Sequence, residues 1–349
     1  RYPLVTGVQT CALPISTIDF GSRGKQQGHL RVPYSHNLGG WANVMIPITL
    51  LARGEGPTVL VLGGNHGDEY QGQIAIMKLA RELSEDLIHG RLILIPSLNY
   101  PAALSSTRLS PIDGVNLNRA FPGDAEGTVT SQIAHFLTHV LFPISDAVID
   151  IHSGGRSMEF VPCSHMHVVP DPSQRRAMLN AMLAWNTDFS FLYTDVAGKG
   201  LLPVEAENQG KIVVTTELGG GESITASVHS LAYNGLKNVL RHLGVLEGPV
   251  VDRASAGQPD AILTQALDAR NYLFAPESGV FEARVELGEA ISAGQPIGSI
   301  HFLERPDRHP IEILSPKDGY MIALRAPCKI QQGDCAGVIG EAVSIASLI

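Results

Sequence analysis

Four stretches are dominated by apolar, mostly branched side chains and close on glycine or a polar cluster: "PTVLVLGG" (57–64), "GRLILIPSLN" (90–99), "DAVIDIHSGG" (146–155) and "GKIVVTTELGGG" (210–221). A strand with one wet face alternates; a nearly continuous apolar run reads as a strand buried on both faces. Residues 17–56 read as strands and turns, with "VMIPITLLA" (44–52) the clearest strand. Between the runs lie segments of helical period. "EYQGQIAIMKLARELSE" (69–85) carries Ile74, Met77 and Leu83 at that spacing. "SQIAHFLTHVLF" (131–142), "SQRRAMLNAMLAW" (173–185) and "SVHSLAYNGLKNVLRHLGVL" (227–246) follow. Strands alternating with helices predict an α/β fold, a mostly parallel or mixed sheet flanked by helices. Ligands of such sheets bind where loops leave the carboxyl ends of the strands.

The pattern changes near residue 249. The last hundred residues are rich in Gly, Pro, Val and Ile, and motifs recur: "PESG" (276–279) as "PKDG" (316–319), and "GQPIG" (294–298) as "GDCAG" (333–337). Two similar β-units in tandem predict a small pseudo-symmetric β-sandwich, resembling the biotinyl/lipoyl-like barrel-sandwich fold. A carrier of that kind needs a lysine at the hairpin between the halves. Residues 300–316 contain none, and Lys317 stands at the start of the second unit. A structural or oligomerising role is expected instead, and a homo-oligomer stays open. The division is therefore 17–248 for the α/β domain and 249–349 for the β-rich one. Residues 1–16 are set apart, because "VTGVQTCALPI" (5–15) resembles the translation of a common sequencing adapter. A signal peptide would show a basic region followed by a longer apolar core.

Composition narrows the function classes. With 44% hydrophobic and 17% charged residues, a sizeable core is expected. The net charge of −9, without a Lys/Arg run, argues against nucleic acid as a partner. No apolar run is long enough for a membrane span. Cys11, Cys163, Cys328 and Cys335 show no CxxC spacing. A disulfide framework is not expected, and a cytoplasmic location fits.

The chemistry concentrates at strand ends. "LVLGGNHGDEYQG" (60–72) places His66, Asp68 and Glu69 just past one buried strand; His152 ends a second and Glu217 a third. Two histidines and one carboxylate form a catalytic zinc set, leaving Glu217 as general base and Asp68 to orient a ligand. "GGNHG" matches neither GxGxxG nor GxxxxGK[ST], so a nucleotide site is not expected. His135 and His139 have metal spacing on a helix but no carboxylate companion. His165 and His167 alternate after Cys163, as on a strand, and are expected at the surface more than in a pocket.

With "GGNHGDE", "NLNRAFPG" (116–123), "DIHSGG" and "TTELGG" in that order, the chain resembles the succinylglutamate desuccinylase/aspartoacylase family of zinc carboxypeptidase-like hydrolases. The resemblance covers roughly residues 40–245, and the β-rich tail matches the family's second domain. It implies one zinc ion per chain on His66, Glu69 and His152, with Glu217 as the catalytic glutamate. It implies that Asn118 and Arg119 grip the substrate carboxylate, and that Arg108 polarises the scissile carbonyl, though the spacing from Arg108 to Arg119 exceeds that of aspartoacylases. The implied reaction is hydrolysis of a linear C–N amide, that of an N-acyl amino acid. Glu217 takes a proton from the attacking water and returns it to the leaving amine.

"HSGG" and "ELGGG" resemble most the subgroup that deacetylates Nα-acetyl-L-2,4-diaminobutyrate in bacterial ectoine degradation. Charge complementarity agrees, since near the motifs stand only Arg108, Arg119 and Arg156. Succinylglutamate or acetylaspartate, with more carboxylates, would call for more cations; both remain as alternatives. The diaminobutyrate ammonium calls for an acidic partner, with Glu159, Glu205, Glu207 and Glu222 as candidates. A metal-free binding protein on the same fold is the rival from another class.

Overall fold

The computed structural model describes residues 14–194 and 199–347. Of the set-apart N-terminal residues, 1–13 lie outside the described residues, Cys11 among them. The short β1 (Ile15–Ser16) pairs with Arg31 and Leu30 of β2 (Gly24–His36), which forms a long antiparallel hairpin with β3 (Gly39–Arg53).

The four apolar runs become β4 (Thr58–Gly63), β5 (Gly90–Ile95), β6 (Ala147–His152) and β10 (Ile212–Glu217), lying in the order β5-β4-β6-β10 and mutually parallel. Every residue of β4 and β6 is buried, as a strand covered on both faces requires. The faces alternate: Leu60 and Leu62 join one core cluster with Val148, Ile133 and Leu137, while Val59 and Val61 join another with Ile76, Leu79, Leu236 and Val239. Each such side chain contributes about 1.5–3 kcal/mol by leaving water. Two strands not anticipated from the sequence widen the sheet, β7 (Met158–Phe160) and β9 (Phe189–Tyr193), and the alternation after Cys163 becomes a third, β8 (Cys163–His167). β8 runs antiparallel to β10, so the sheet is mixed.

Helices α1 (Tyr70–Glu82) and α7 (Ala226–His242) pack together on one face. On α1 the buried stripe is Ala75, Ile76 and Leu79; Leu83, just past its end, is buried as expected, but Ile74 is half-buried and Met77 is 40% exposed. The rotation follows from Gly72, which lies so close to β6 that a Cβ there would meet Ile151 Cβ at 2.7 Å. The smallest residue, not the largest apolar one, sets which side faces the sheet. Helix α2 (Tyr100–Ser105) follows β5; α3 (Val129–Phe136), with a π turn at Leu137–Leu141 and the short α4 (Phe142–Ile144), fills the predicted 131–142 helix. Two more helices complete the set, α5 (Pro172–Leu183) and α6 (Leu202–Asn208).

After β11 (Ile262–Ala266), the β-rich tail holds two units whose strands start 39 or 40 residues apart: β12 (Tyr272–Phe274) with β16 (Ile311–Leu314), β13 (Gly279–Ala283) with β17 (Gly319–Arg325), β14 (Ala290–Ile291) with β18 (Lys329–Ile330), and β15 (Pro296–His301) with β19 (Cys335–Ala342). The units exchange strands, giving layers β12-β19-β17-β14 and β16-β15-β13-β18 over a core that includes Phe281, Ile297, Ile300 and Ile339. The first layer continues the main sheet, through β11 on β19 and β7 on β17. Lys317 is pinned by Glu341 Oε1 at 2.6 Å and Asn271 Oδ1 at 3.3 Å, unlike a swinging-arm lysine. Cys163, Cys328 and Cys335 are free thiols. Among the described residues no helix is long and apolar enough to cross a membrane.

Candidate active site

The carboxyl ends of β4, β6 and β10 converge on one cavity of about 300 Å³. The loop after β4 supplies His66 and Glu69, β6 ends on His152, and β10 ends on Glu217, which the parallel register sets directly beside His152. Gly67 explains the shape of that loop: a Cβ there would stand 2.0 Å from the backbone carbon of Ala102, so only glycine lets the loop press against α2.

The hydrogen bonds fix both histidine tautomers. His66 Nε2 lies 3.2 Å from Asn116 Oδ1, an oxygen that also accepts from the Asn118 N–H. His152 Nε2 lies 2.8 Å from Asp150 Oδ2, which also accepts from Asn65 Nδ2. Both Nε2 atoms therefore carry hydrogens and donate outward. The two Nδ1 atoms turn inward onto the carboxylate of Glu69, His66 at 2.6 Å from Oε1 and His152 at 2.8 Å from Oε2. Lone pairs facing carboxylate oxygens at those distances repel unless a proton or a cation sits between them. One ligand atom from each of His66, Glu69 and His152 lies within 4.8 Å of the others, all three residues buried, so the set can hold a metal ion.

The electrostatics agree. Burial would raise the Glu69 carboxyl, but the two histidines outweigh it and hold the group below the ordinary range. Burial opposes the charged form of His152, yet Asp150 and Glu69 raise it well above its usual value. His66 is lowered, mainly by burial. Burial, reinforced by the charge of Glu69, pushes Glu217 up to about 8, and its Oε2 is sealed from solvent without a partner.

The cavity brings together all seven residues singled out from the sequence: His66, Glu69, His152, Glu217, Arg108, Asn118 and Arg119. Arg108 Nη1 reaches Glu69 Oε1 at 3.4 Å and lies 3.3 Å from His66 Nδ1. Arg119 sits at the end of a 3₁₀ turn (Leu117–Arg119) and donates to the Asn118 carbonyl at 2.7 Å. Asn118 Oδ1 accepts the Leu202 N–H at 2.8 Å, holding the start of α6 against the turn.

Other expectations are corrected. Asp68 does not orient a ligand; its Oδ2 accepts the Arg156 N–H, and Asp150 stands behind His152 instead. The signal was in "VIDIH": residues i and i+2 of a strand share a face. None of Glu159, Glu205, Glu207 and Glu222 lines the cavity. Glu207 holds His167 Nδ1 at 3.0 Å, and Glu222 holds Arg156 at 2.5 Å. His135 and His139 stack with ring centroids 4.0 Å apart, and His139 Nδ1 lies 3.1 Å from the His135 carbonyl oxygen. His165 is buried and lines the cavity rather than the surface. So do Phe160, Phe191 and Tyr193, and the β-rich tail contributes Tyr272, Phe274, Cys335 and Val338.

Residues 55–243 match the succinylglutamate desuccinylase/aspartoacylase catalytic domain. The chain is 40% identical over 331 residues to an N-alpha-acetyl-L-2,4-diaminobutyric acid deacetylase of Halomonas elongata, covering 95% of this chain and 96% of that one. It is similar to the product-bound ectoine utilization protein EutE (DoeB) of Ruegeria pomeroyi, with TM-score 0.90, 37% identity, and 95% and 99% of the two chains covered. It is likewise similar to a succinylglutamate desuccinylase/aspartoacylase structure from Rhodobacter sphaeroides, with TM-score 0.91, 38% identity, and 95% and 100% covered. With the matched domain, the near-complete coverage of both chains and a His-Glu-His cluster at the strand ends, the chain belongs to the succinylglutamate desuccinylase/aspartoacylase family of deacylases.

Proposed function

We propose that the protein is a zinc-dependent amidohydrolase that cleaves Nα-acetyl-L-2,4-diaminobutyrate to acetate and L-2,4-diaminobutyrate, a cytoplasmic step of ectoine degradation. The observation that supports the metal is the buried His66, Glu69 and His152 cluster, with one ligand atom of each within 4.8 Å of the others and both Nδ1 atoms turned onto the Glu69 carboxylate. The observation that carries the substrate is the likeness, over nearly the whole chain, to a deacetylase of that compound. Zinc held by His66, Glu69 and His152 would polarise the acyl carbonyl and acidify a water.

The chain's own residues do the rest. Glu217, which lines the cavity beside His152, accepts the proton of the attacking water and delivers it to the departing amine. Burial and the charge of Glu69 raise its carboxyl, and a cation held beside it would favour the carboxylate that accepts the proton. Arg108 steadies the negative charge that develops on the acyl oxygen. Arg119 pairs with the α-carboxylate, with Asn118 beside it. We assign catalysis to residues 17–248, with 249–349 closing the cavity through its aromatic side chains.

Arg108 and Arg119 are the only arginine or lysine side chains lining the cavity among the described residues, and apart from the histidines and glutamates the wall is largely aromatic and aliphatic. That suits one carboxylate better than the two or three of acetylaspartate or succinylglutamate. Turnover of the three acyl amino acids side by side tests the assignment. Preference for succinylglutamate or acetylaspartate overturns the substrate while leaving the hydrolase.

A further inference from the structure

His165 lies on β8 and lines the cavity, yet the proposed reaction gives it no task. Its surroundings fix its chemistry. Thr215 Oγ1 stands 2.7 Å from His165 Nδ1 and 2.9 Å from the His165 carbonyl oxygen. A hydroxyl has one hydrogen. If it goes to the carbonyl, Oγ1 accepts from an Nδ1–H and both contacts are hydrogen bonds; the other tautomer satisfies only one. Nδ1 therefore carries the hydrogen and Nε2 is a bare lone pair. That Nε2 has no hydrogen-bond partner and almost no accessible surface, so a ligand donor meets it only when the cavity wall yields. Burial, helped by His152 and His167, depresses the ring to about 3, so it stays neutral at working pH.

A buried acceptor without a donor is unfavourable unless a ligand supplies one. The neighbouring wall selects the donor's type. The Tyr193 ring meets His165 at 4.8 Å, and Phe160 and Phe191 line the same cavity. Aromatic faces attract a cation and repel an anion. The acidic residues that could have met an ammonium are elsewhere, with Glu207 on His167 and Glu222 on Arg156.

We propose that His165 Nε2 accepts a hydrogen bond from the side-chain amino group of the substrate, with Tyr193 and its aromatic neighbours as the surrounding wall. This deepens the deacetylase reading and rests on it. A side-chain carboxylate in that place would set acceptor against acceptor, which excludes acetylaspartate by the same contact.

The test compares Nα-acetyl-L-2,4-diaminobutyrate with Nα-acetyl-L-2-aminobutyrate, which lacks the side-chain amine, in wild type, His165→Leu and His165→Gln, all loaded with zinc. Wild type should prefer the amino substrate in kcat/KM. His165→Leu should lower that preference by about tenfold to a hundredfold, chiefly through KM, and His165→Gln, which keeps an acceptor, should recover part of it. An equal loss on both substrates means a packing role and overturns the proposal, as does an undiminished preference. If wild type hydrolyses neither substrate, the deacetylase reading itself falls. A wild-type preference that survives His165→Leu sinks only the role of His165.

Discussion

His152 Nδ1 lies 2.8 Å from Glu69 Oε2, a contact across 83 residues that ties the end of β6 to the start of α1. Glu69 meets His66 through its other oxygen, so one carboxylate spans both histidines. What aims His152 is Asp150, 2.8 Å behind its Nε2. Asp150→Asn should weaken zinc affinity by about tenfold to a hundredfold, because the ring loses the charged acceptor that fixes its tautomer. Competition with a chelator of known affinity measures this; an unchanged affinity would mean that Asp150 only fills space.

Glu217 is assigned proton transfer, not metal binding. Glu217→Gln should keep its zinc and lose kcat by about 10²–10⁴-fold. Metal content and steady-state rates on the same sample decide it. Loss of zinc along with activity would place Glu217 among the ligands.

Arg119 is assigned to the substrate carboxylate, where a planar fork outperforms a point charge. Arg119→Lys should raise KM by about tenfold with a smaller change in kcat. A fall in kcat alone would move Arg119 from binding to the transition state.

His165 also makes a pH prediction. Its ring sits at about 3 in the folded protein, against an ordinary value of 6.5, so between those values the unfolded chain binds a proton that the folded one refuses. The contribution is fully present above 6.5 and is lost as pH falls towards about 3, with a slope of up to about 1.4 kcal/mol per pH unit. His165→Gln removes that slope. Denaturant titrations between pH 6 and 4 should show the variant losing less stability than wild type over the interval, and parallel losses would contradict the buried neutral ring.

The sequence made the centre of the molecule readable and left its margins obscure. β4, β6 and β10 announced themselves because strands covered on both faces have no polar alternation, and His66, His152 and Glu217 stood out as polar side chains at their glycine-flanked ends. The alternation of β8 showed as well, but its burial did not, since "CSHMH" carries histidines that resemble a wet face; they are buried because β9 and β10 flank the strand and Thr215 meets His165 Nδ1. Met77 misled because volume suggested burial, while close approach at Gly72 decided the rotation of α1. Tyr272 and Phe274 reach the cavity through sheet pairing of distant segments, which no local pattern encodes.

The central claim is a zinc-dependent deacetylase built on His66, Glu69, His152 and Glu217. Its most direct test is acetate release from Nα-acetyl-L-2,4-diaminobutyrate by protein stripped of metal and then reloaded with one zinc per chain. Acetate and diaminobutyrate should appear in equal amounts from the reloaded protein, and neither from the stripped one. Absence of acetate from protein holding its zinc, or equal release with and without metal, would contradict the account.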